Sequence, residues 1–343
     1  MKKSIVFLKK FEKKHKIFYE ALKALLSKGL NLLKKYMLNI AFKENLCYNI
    51  VVSEKNSKEK PMRIVMLIEN TAVSQKLLVE HGMSVYVENG DSSCLFGTGS
   101  STKLINNAKR MKLYPENIGS AVIPHNHFSY TGGIENLLQV NPKMKLFALK
   151  AADCTPYRKK GLLASPMGDL SEKIKKHRDN FILFNSFQQV NEGFFLLKDE
   201  IGDKSFYVND KNNKLKNGAE YENDELEHEC FGVIFPFENR KKGCVILGGC
   251  AHCGLPNMIK TVYKNWGDIP VLAILTGLHF MGENAKKLTV DGDYIDRLTE
   301  EIKELNVGAI YTCHCTGLKG YEELKAKLGN QLQYLQTGEE LNF

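Results

Sequence analysis

Of the 343 residues, 48 are Lys or Arg and 39 are Asp or Glu, a net charge of +9, and 43% are hydrophobic. That apolar content supports a sizeable core and excludes a disordered chain, a collagen-like chain and a small disulfide scaffold. No run approaches the roughly 18–20 apolar residues that cross a bilayer.

The charge is unevenly placed. Residues 1–60 carry 15 Lys against 5 acidic side chains, or +10, and the other 283 residues carry 33 basic against 34 acidic, or −1. A body near neutrality lacks the basic face that nucleic acid requires, so no nucleic-acid partner is expected. The apolar stretch after Lys2-Lys3 is too short for a secretory signal and has no small-residue cleavage site. With nine cysteines, an odd count, that predicts reduced thiols in a cytoplasmic protein rather than a disulfide framework.

Residues 5–38 read as a basic amphipathic helix, with Leu8, Phe11, Phe18, Leu22, Leu25 and Leu26 at helical steps between lysines. Such a helix suits an anionic membrane surface or a protein partner, or packs loosely on the body. A translation start at Met62 is a third reading. Residues 53–61 are polar and read as a linker, dividing the chain into an extension over 1–61 and a domain over 62–343. Beyond it, Arg63–Ile68 and Ser93–Phe96 read as strands. Met83–Glu88 alternates like a half-buried strand and runs into an Asn89-Gly90 turn. Leu104, Ile105 and Ala108 mark a helix ending before Pro115. Residues 209–225 are polar and read as a loop, and Tyr294–Leu305 as a helix. Phe181, Phe184, Phe187, Phe194 and Phe195 read as core, although a flat ring would also suit them. The alternation predicts an α/β protein of sheets covered by helices.

Four apolar strands end in histidine. Ala121–Pro124 runs into His125-Asn126-His127, and Cys244–Gly249 into Cys250-Ala251-His252-Cys253. Val271–Leu275 runs into Thr276-Gly277-Leu278-His279, and Val307–Thr312 into Cys313-His314-Cys315. One such histidine alone is usually structural, but loops leaving strand C-termini gather on one sheet edge, where ligand sites form. Five histidines at four ends point to a metal or anion site. On an extended segment His125 and His127 face the same way, so both can reach one ion.

His125-Asn126-His127-Phe128-Ser129-Tyr130-Thr131-Gly132-Gly133 resembles the metallo-β-lactamase superfamily signature H-x-H-x-D-H-x-G-G. Glu69-Asn70-Thr71, Glu80-His81-Gly82, Gly249-Cys250-Ala251-His252, Gly277-Leu278-His279 and His314-Cys315-Thr316-Gly317 are similar to its dihydropteroate-synthase-like branch. That branch's named activity is dihydropterin–ribofuranosylaminobenzene 5′-phosphate synthase, and the resemblance spans about 62–343. It implies an αββα sandwich with metal between the sheet edges. His125, His127 and His252 match the first metal site, His314 borders the second, and His279 lies near the usual bridging carboxylate.

Three positions depart from the pattern. Ser129 and Tyr130 replace the signature Asp and His, and Gly97 replaces a supporting Asp. A phenol ionising near 10 is a poor ligand at neutral pH, so one divalent metal is expected: zinc, with iron or manganese as alternatives. Without the signature carboxylate, catalysis either uses metal-bound hydroxide alone or recruits another group such as His314. The resemblance then implies a metal-dependent hydrolase or pterin-type synthase acting on a small phosphorylated or heterocyclic molecule. The alternatives are a binding module with an eroded site, and a thiol metal or redox protein using Cys250, Cys253, Cys313 and Cys315.

Overall fold

The apolar runs form strands, and the strands assemble into three sheets. The computed structural model describes residues 61–217, 219–282, 287–305 and 307–343. The basic helix expected over 5–38, with its membrane or partner contact, and nearly all of the 53–61 linker lie outside the described residues.

In chain order the first strands are β1 (Arg63–Ile68), β2 (Ser84–Asn89), β3 (Ser92–Phe96), β4 (Ser120–Ile123), β5 (Lys145–Leu149) and β6 (Pro156–Lys160). There follow β7 (Leu163–Pro166), β8 (Phe181–Phe184), β9 (Phe187–Asn191), β10 (Phe194–Leu197), β11 (Asn213–Asn217) and β12 (Glu220–Asn223). The last are β13 (Phe231–Ile234), β14 (Cys244–Leu247), β15 (Val271–Thr276), β16 (Val307–Thr312), β17 (Leu332–Tyr334) and β18 (Glu340–Asn342). The α-helices are α1 (Lys103–Arg110), α2 (Phe128–Thr131), α3 (Ile134–Val140), α4 (Leu170–Lys176), α5 (Leu255–Trp266), α6 (Gly292–Glu304) and α7 (Gly317–Leu328).

One seven-stranded sheet runs β18-β1-β2-β3-β4-β5-β8, a second runs β17-β16-β15-β14-β13-β10-β9, and a small sheet runs β12-β11-β6-β7. Side-chain alternation explains the layers. On β14, Val245 and Leu247 join the core shared with the first sheet, while Cys244 and Ile246 pack with Leu255, Met258, Ile259 and Val262 of α5. Both faces are buried, which is why β14 and β15 read as continuous apolar runs. Each fully buried Val, Leu or Ile contributes about 1.5–3 kcal/mol. Helix α1 packs against β1 on the other side, completing an αββα sandwich.

Helix α6 starts where Asp291 accepts the Tyr294 N–H at 2.8 Å, a cap whose removal costs about 1 kcal/mol. Tyr294, Ile295, Leu298 and Ile302 form its buried face. The loop expected over 209–225 is corrected: it contains β11 and β12, paired antiparallel from Lys214↔Asn223 to Asn217↔Glu220. Their polar residues suit a small sheet with little apolar cover, which hides the strand signal. No described helix is long and apolar enough to cross a membrane.

Strands β14, β15 and β16 are parallel, so their C-termini meet on one edge of the second sheet. Strand β4 brings its own C-terminus from the first sheet.

Candidate metal centre

The turns after these strands carry the histidines, and the backbone there is unusual. Ala251, His279 and His314 have φ of 48°, 52° and 50°, a left-handed conformation costing side-chain-bearing residues of order 1–3 kcal/mol. Surrounding bonds hold it: the His314 N–H donates to Glu69 Oε2 at 3.2 Å, and the His279 N–H to Cys315 Sγ at 3.2 Å.

His125, His127 and His252 come together. His125 Nε2 and His127 Nδ1 lie 3.1 Å apart, and the His252 ring centroid is 5.1 Å from that of His125 and 5.8 Å from that of His127. His252 Nδ1 lies 2.8 Å from the Val208 carbonyl. A carbonyl only accepts, so Nδ1 carries a proton and Nε2 is the nitrogen that can meet an ion. That Nε2 is buried without a hydrogen-bond partner.

These residues fit a metal ion. Two nitrogens on a tetrahedral zinc, each about 2.0–2.1 Å from it, stand about 3.3 Å apart, close to the observed His125–His127 separation. Burial first, and neighbouring imidazoles second, hold His125 and His127 well below the usual histidine range, which leaves them neutral as ligands must be. At His252 burial opposes the charge, but Cys250, Glu229 and the Val208 carbonyl outweigh it and lift the group to about 9. An ion seated there displaces that proton.

His279 and His314 lie beside this trio. The His279 ring is 4.3 Å from that of His252, while His314 lies between His81 at 4.6 Å and Tyr130 at 5.6 Å. Each has a buried Nδ1 without a hydrogen-bond partner. Glu69 and Asn70 explain one resembling motif: Glu69 holds the His314 N–H, and Asn70 Nδ2 donates to the His314 carbonyl at 2.8 Å.

The departures form one packed unit. Tyr130 is fully buried, its hydroxyl 3.3 Å from Cys250 Sγ and 3.7 Å from Met83 Sδ. Its ring lies 4.5 Å from that of His125. Burial, then Cys250, pushes the phenol well above its ordinary range, so it stays neutral. Gly132 and Gly133 stand where a Cβ would strike the carbonyls of Ser100 and Thr98. That close approach explains the glycine pair in the motif.

All eight cysteines among the described residues are free thiols. Cys250 and Cys315 share a group with His279 whose candidate ligand atoms lie within 4.8 Å of one another. Cys253 instead lines a separate cavity of about 240 Å³ with Asp199 and Glu225, and Cys313 packs on Met83 Sδ at 3.8 Å.

A cleft of about 510 Å³ opens over the centre, lined by His127, Ser129, Arg158, Ser165, His279 and His314 among others. The phenylalanines of 181–195 are not among its lining residues. Phe181, Phe184, Phe194 and Phe195 are core, and exposed Phe187 packs against Phe195 and Trp266.

Sequence reading missed Glu229, His228 and Arg158. The buried Glu229 carboxylate accepts the backbone N–H groups of His252 at 3.0 Å and Cys253 at 2.9 Å, and lies 4.0 Å from His125 Nδ1. His228 takes the Asn126 N–H on Nδ1 at 3.2 Å, so its Nε2 donates to Asp224 at 3.1 Å. Both its nitrogens are engaged, and it pins Asn126 between the two histidines. The one available signal was His228-Glu229 immediately before an apolar run.

No family model matches the chain. It is 27% identical over 279 residues, covering 77% of this chain and 90% of the relative, to the 7,8-dihydropterin-6-methyl-4-(β-D-ribofuranosyl)-aminobenzene-5′-phosphate synthase of Methanocaldococcus jannaschii. Among solved structures it is similar to Tm1679, a metal-dependent hydrolase of the β-lactamase superfamily. The TM-score is 0.67 at 21% identity, over 82% of this chain and 99% of that one. The chain has the metallo-β-lactamase fold, and its resemblance to the synthase branch is supported. A synthase relative is consistent with an enzyme.

Proposed function

We propose that the chain is a metal-dependent enzyme, a hydrolase or a pterin-type synthase or transferase acting on a small phosphorylated or heterocyclic metabolite in the cytoplasm. One divalent ion, zinc by the chemistry of three imidazole ligands, with iron or manganese as alternatives, is held by His125, His127 and His252. The observation that carries this reading is the trio itself, above all the buried, partnerless Nε2 of His252.

When bound, such an ion supplies Lewis acidity toward a phosphoryl oxygen or a water. The remaining work belongs to side chains. Glu229 fixes the His252 turn through two backbone N–H groups and sets a negative charge beside His125, the supporting role carboxylates play behind metal ligands. Glu69 and Asn70 hold the strained His314 turn. Burial, then His81, keeps His314 well below the usual histidine range, so its partnerless Nδ1 can accept a hydrogen bond from a substrate in the cleft. His279 lines the same cleft, its ring 4.3 Å from that of His252.

A second reading, a binding protein without turnover, is favoured by Tyr130, which occupies a ligand position of the resembled signature and is a neutral phenol. Elemental analysis of the purified chain, beside turnover assays on dihydropterin and phosphoester substrates, separates the two. About one equivalent of metal is expected, and His252→Ala is expected to lower it at least tenfold. Unchanged metal in that variant removes the trio as the site, and bound metal without turnover favours the binding protein.

A further inference from the structure

We propose that Arg158 and Ser165 bind the phosphate group of an organic phosphate ester in the cleft; this rests on reading that cleft as the substrate site. The two residues are directly paired across β6 and β7. Opposite residues in an antiparallel pair project from the same sheet face with Cβ atoms about 4.5–5.5 Å apart. Both line the cleft that also holds His127, His279 and His314. A planar guanidinium beside a hydroxyl matches the oxygens of a phosphate.

The side chains of the cleft suit a group that accepts hydrogen bonds. Among its described lining residues there is no carboxylate, and Arg158 is the charged side chain. Asp210 Oδ2, from outside the lining, accepts from Arg158 Nη2 at 2.6 Å and thereby orients the fork. The cleft is also lined by the apolar Phe128, Pro166, Met167 and Met281. Phe128 is 41% exposed, an accessible ring face for an organic group. An ester with a flat apolar part therefore fits better than inorganic phosphate.

The test is calorimetric titration of the full chain, as purified and after metal loading, with phenyl phosphate and with inorganic phosphate. Metal content is measured on every sample. Phenyl phosphate is expected to bind more tightly than inorganic phosphate. Arg158→Gln is expected to weaken it at least about tenfold with metal content unchanged, and Ser165→Ala by a smaller factor. Arg158→Lys, which keeps the charge but not the fork, should recover part of the loss. Wild-type affinity in Arg158→Gln overturns the site, as does a metal-loaded chain that binds neither ligand. Equal affinity for the two ligands overturns the organic ester. If Arg158→Gln loses its metal, Arg158→Lys and Ser165→Ala decide, and wild-type affinity in both overturns the site. A chain without metal that still binds phenyl phosphate through Arg158 retains this site and removes the metal reading instead.

Discussion

Gly97 and Tyr130 fit one another: a Cβ added at Gly97 would lie 2.9 Å from Tyr130 Cδ1 and closer still to the Met83 carbonyl. Gly97 also has φ of +78°, where a side chain is strained whatever the space. Two of the three positions where this chain departs from the resembled pattern are thus sterically linked. An aspartate at 97 and the phenol at 130 compete for the same volume.

Gly97→Asp is therefore expected to destabilise the fold by about 2–4 kcal/mol, combining overpacking with left-handed strain. In Gly97→Asp/Tyr130→His the loss should fall short of the sum of the two single losses. Urea denaturation of the four proteins gives the coupling, expected between about 0.5 and 3 kcal/mol for residues in contact. Strictly additive losses would refute the linkage.

Metal capacity should follow from the same packing. The unmodified chain is expected to hold at most one equivalent, and Ser129→Asp/Tyr130→His to move towards two, measured by equilibrium dialysis. Two tightly bound ions in the unmodified chain would mean that other groups replace the missing ligands, with Cys250, His279 and Cys315 the first to examine.

Glu229→Gln keeps the volume but removes the charge 4.0 Å from His125 Nδ1, and its single amide oxygen can accept only one of the two backbone N–H groups at the His252 turn. Metal affinity is expected to fall about 10–100-fold, the usual effect of losing a group behind the ligands. Competition with a chelator measures it. An unaltered affinity would leave Glu229 with only its backbone bonds.

His228→Ala serves as the opposite control. Its ring lies 5.9 Å from that of His127, yet both nitrogens are already bonded, so metal stoichiometry should not change. Stability should drop by about 2–4 kcal/mol, because the buried Asp224 carboxylate loses its partner. Loss of metal from a folded His228→Ala protein would place His228 among the ligands.

The division between what was legible and what was not follows chain distance. The four strands that end in histidine could be read from sequence, because an apolar run and the turn that stops it are local patterns. The same holds for His125-x-His127, whose common direction follows from the two-residue period of an extended chain. Helix α6 was legible from its spacing within one residue of its end. Glu229 and His228 were not, because their importance depends on how β13 pairs with its neighbours and brings the preceding turn under His252. Residues 209–225 looked like a loop because β11 and β12 carry few apolar side chains, and only pairing with β6 makes them a sheet. The pairing of β6 with β7 in the same sheet, equally long-range in its consequences, sets Arg158 opposite Ser165. Gly97 and Tyr130 stood out singly as departures, but their mutual fit is a contact across 33 positions of chain. Local periodicity determined where the imidazoles are offered. Long-range register and close packing decided which of them converge, what supports them, and why a phenol lies where the signature has a ligand.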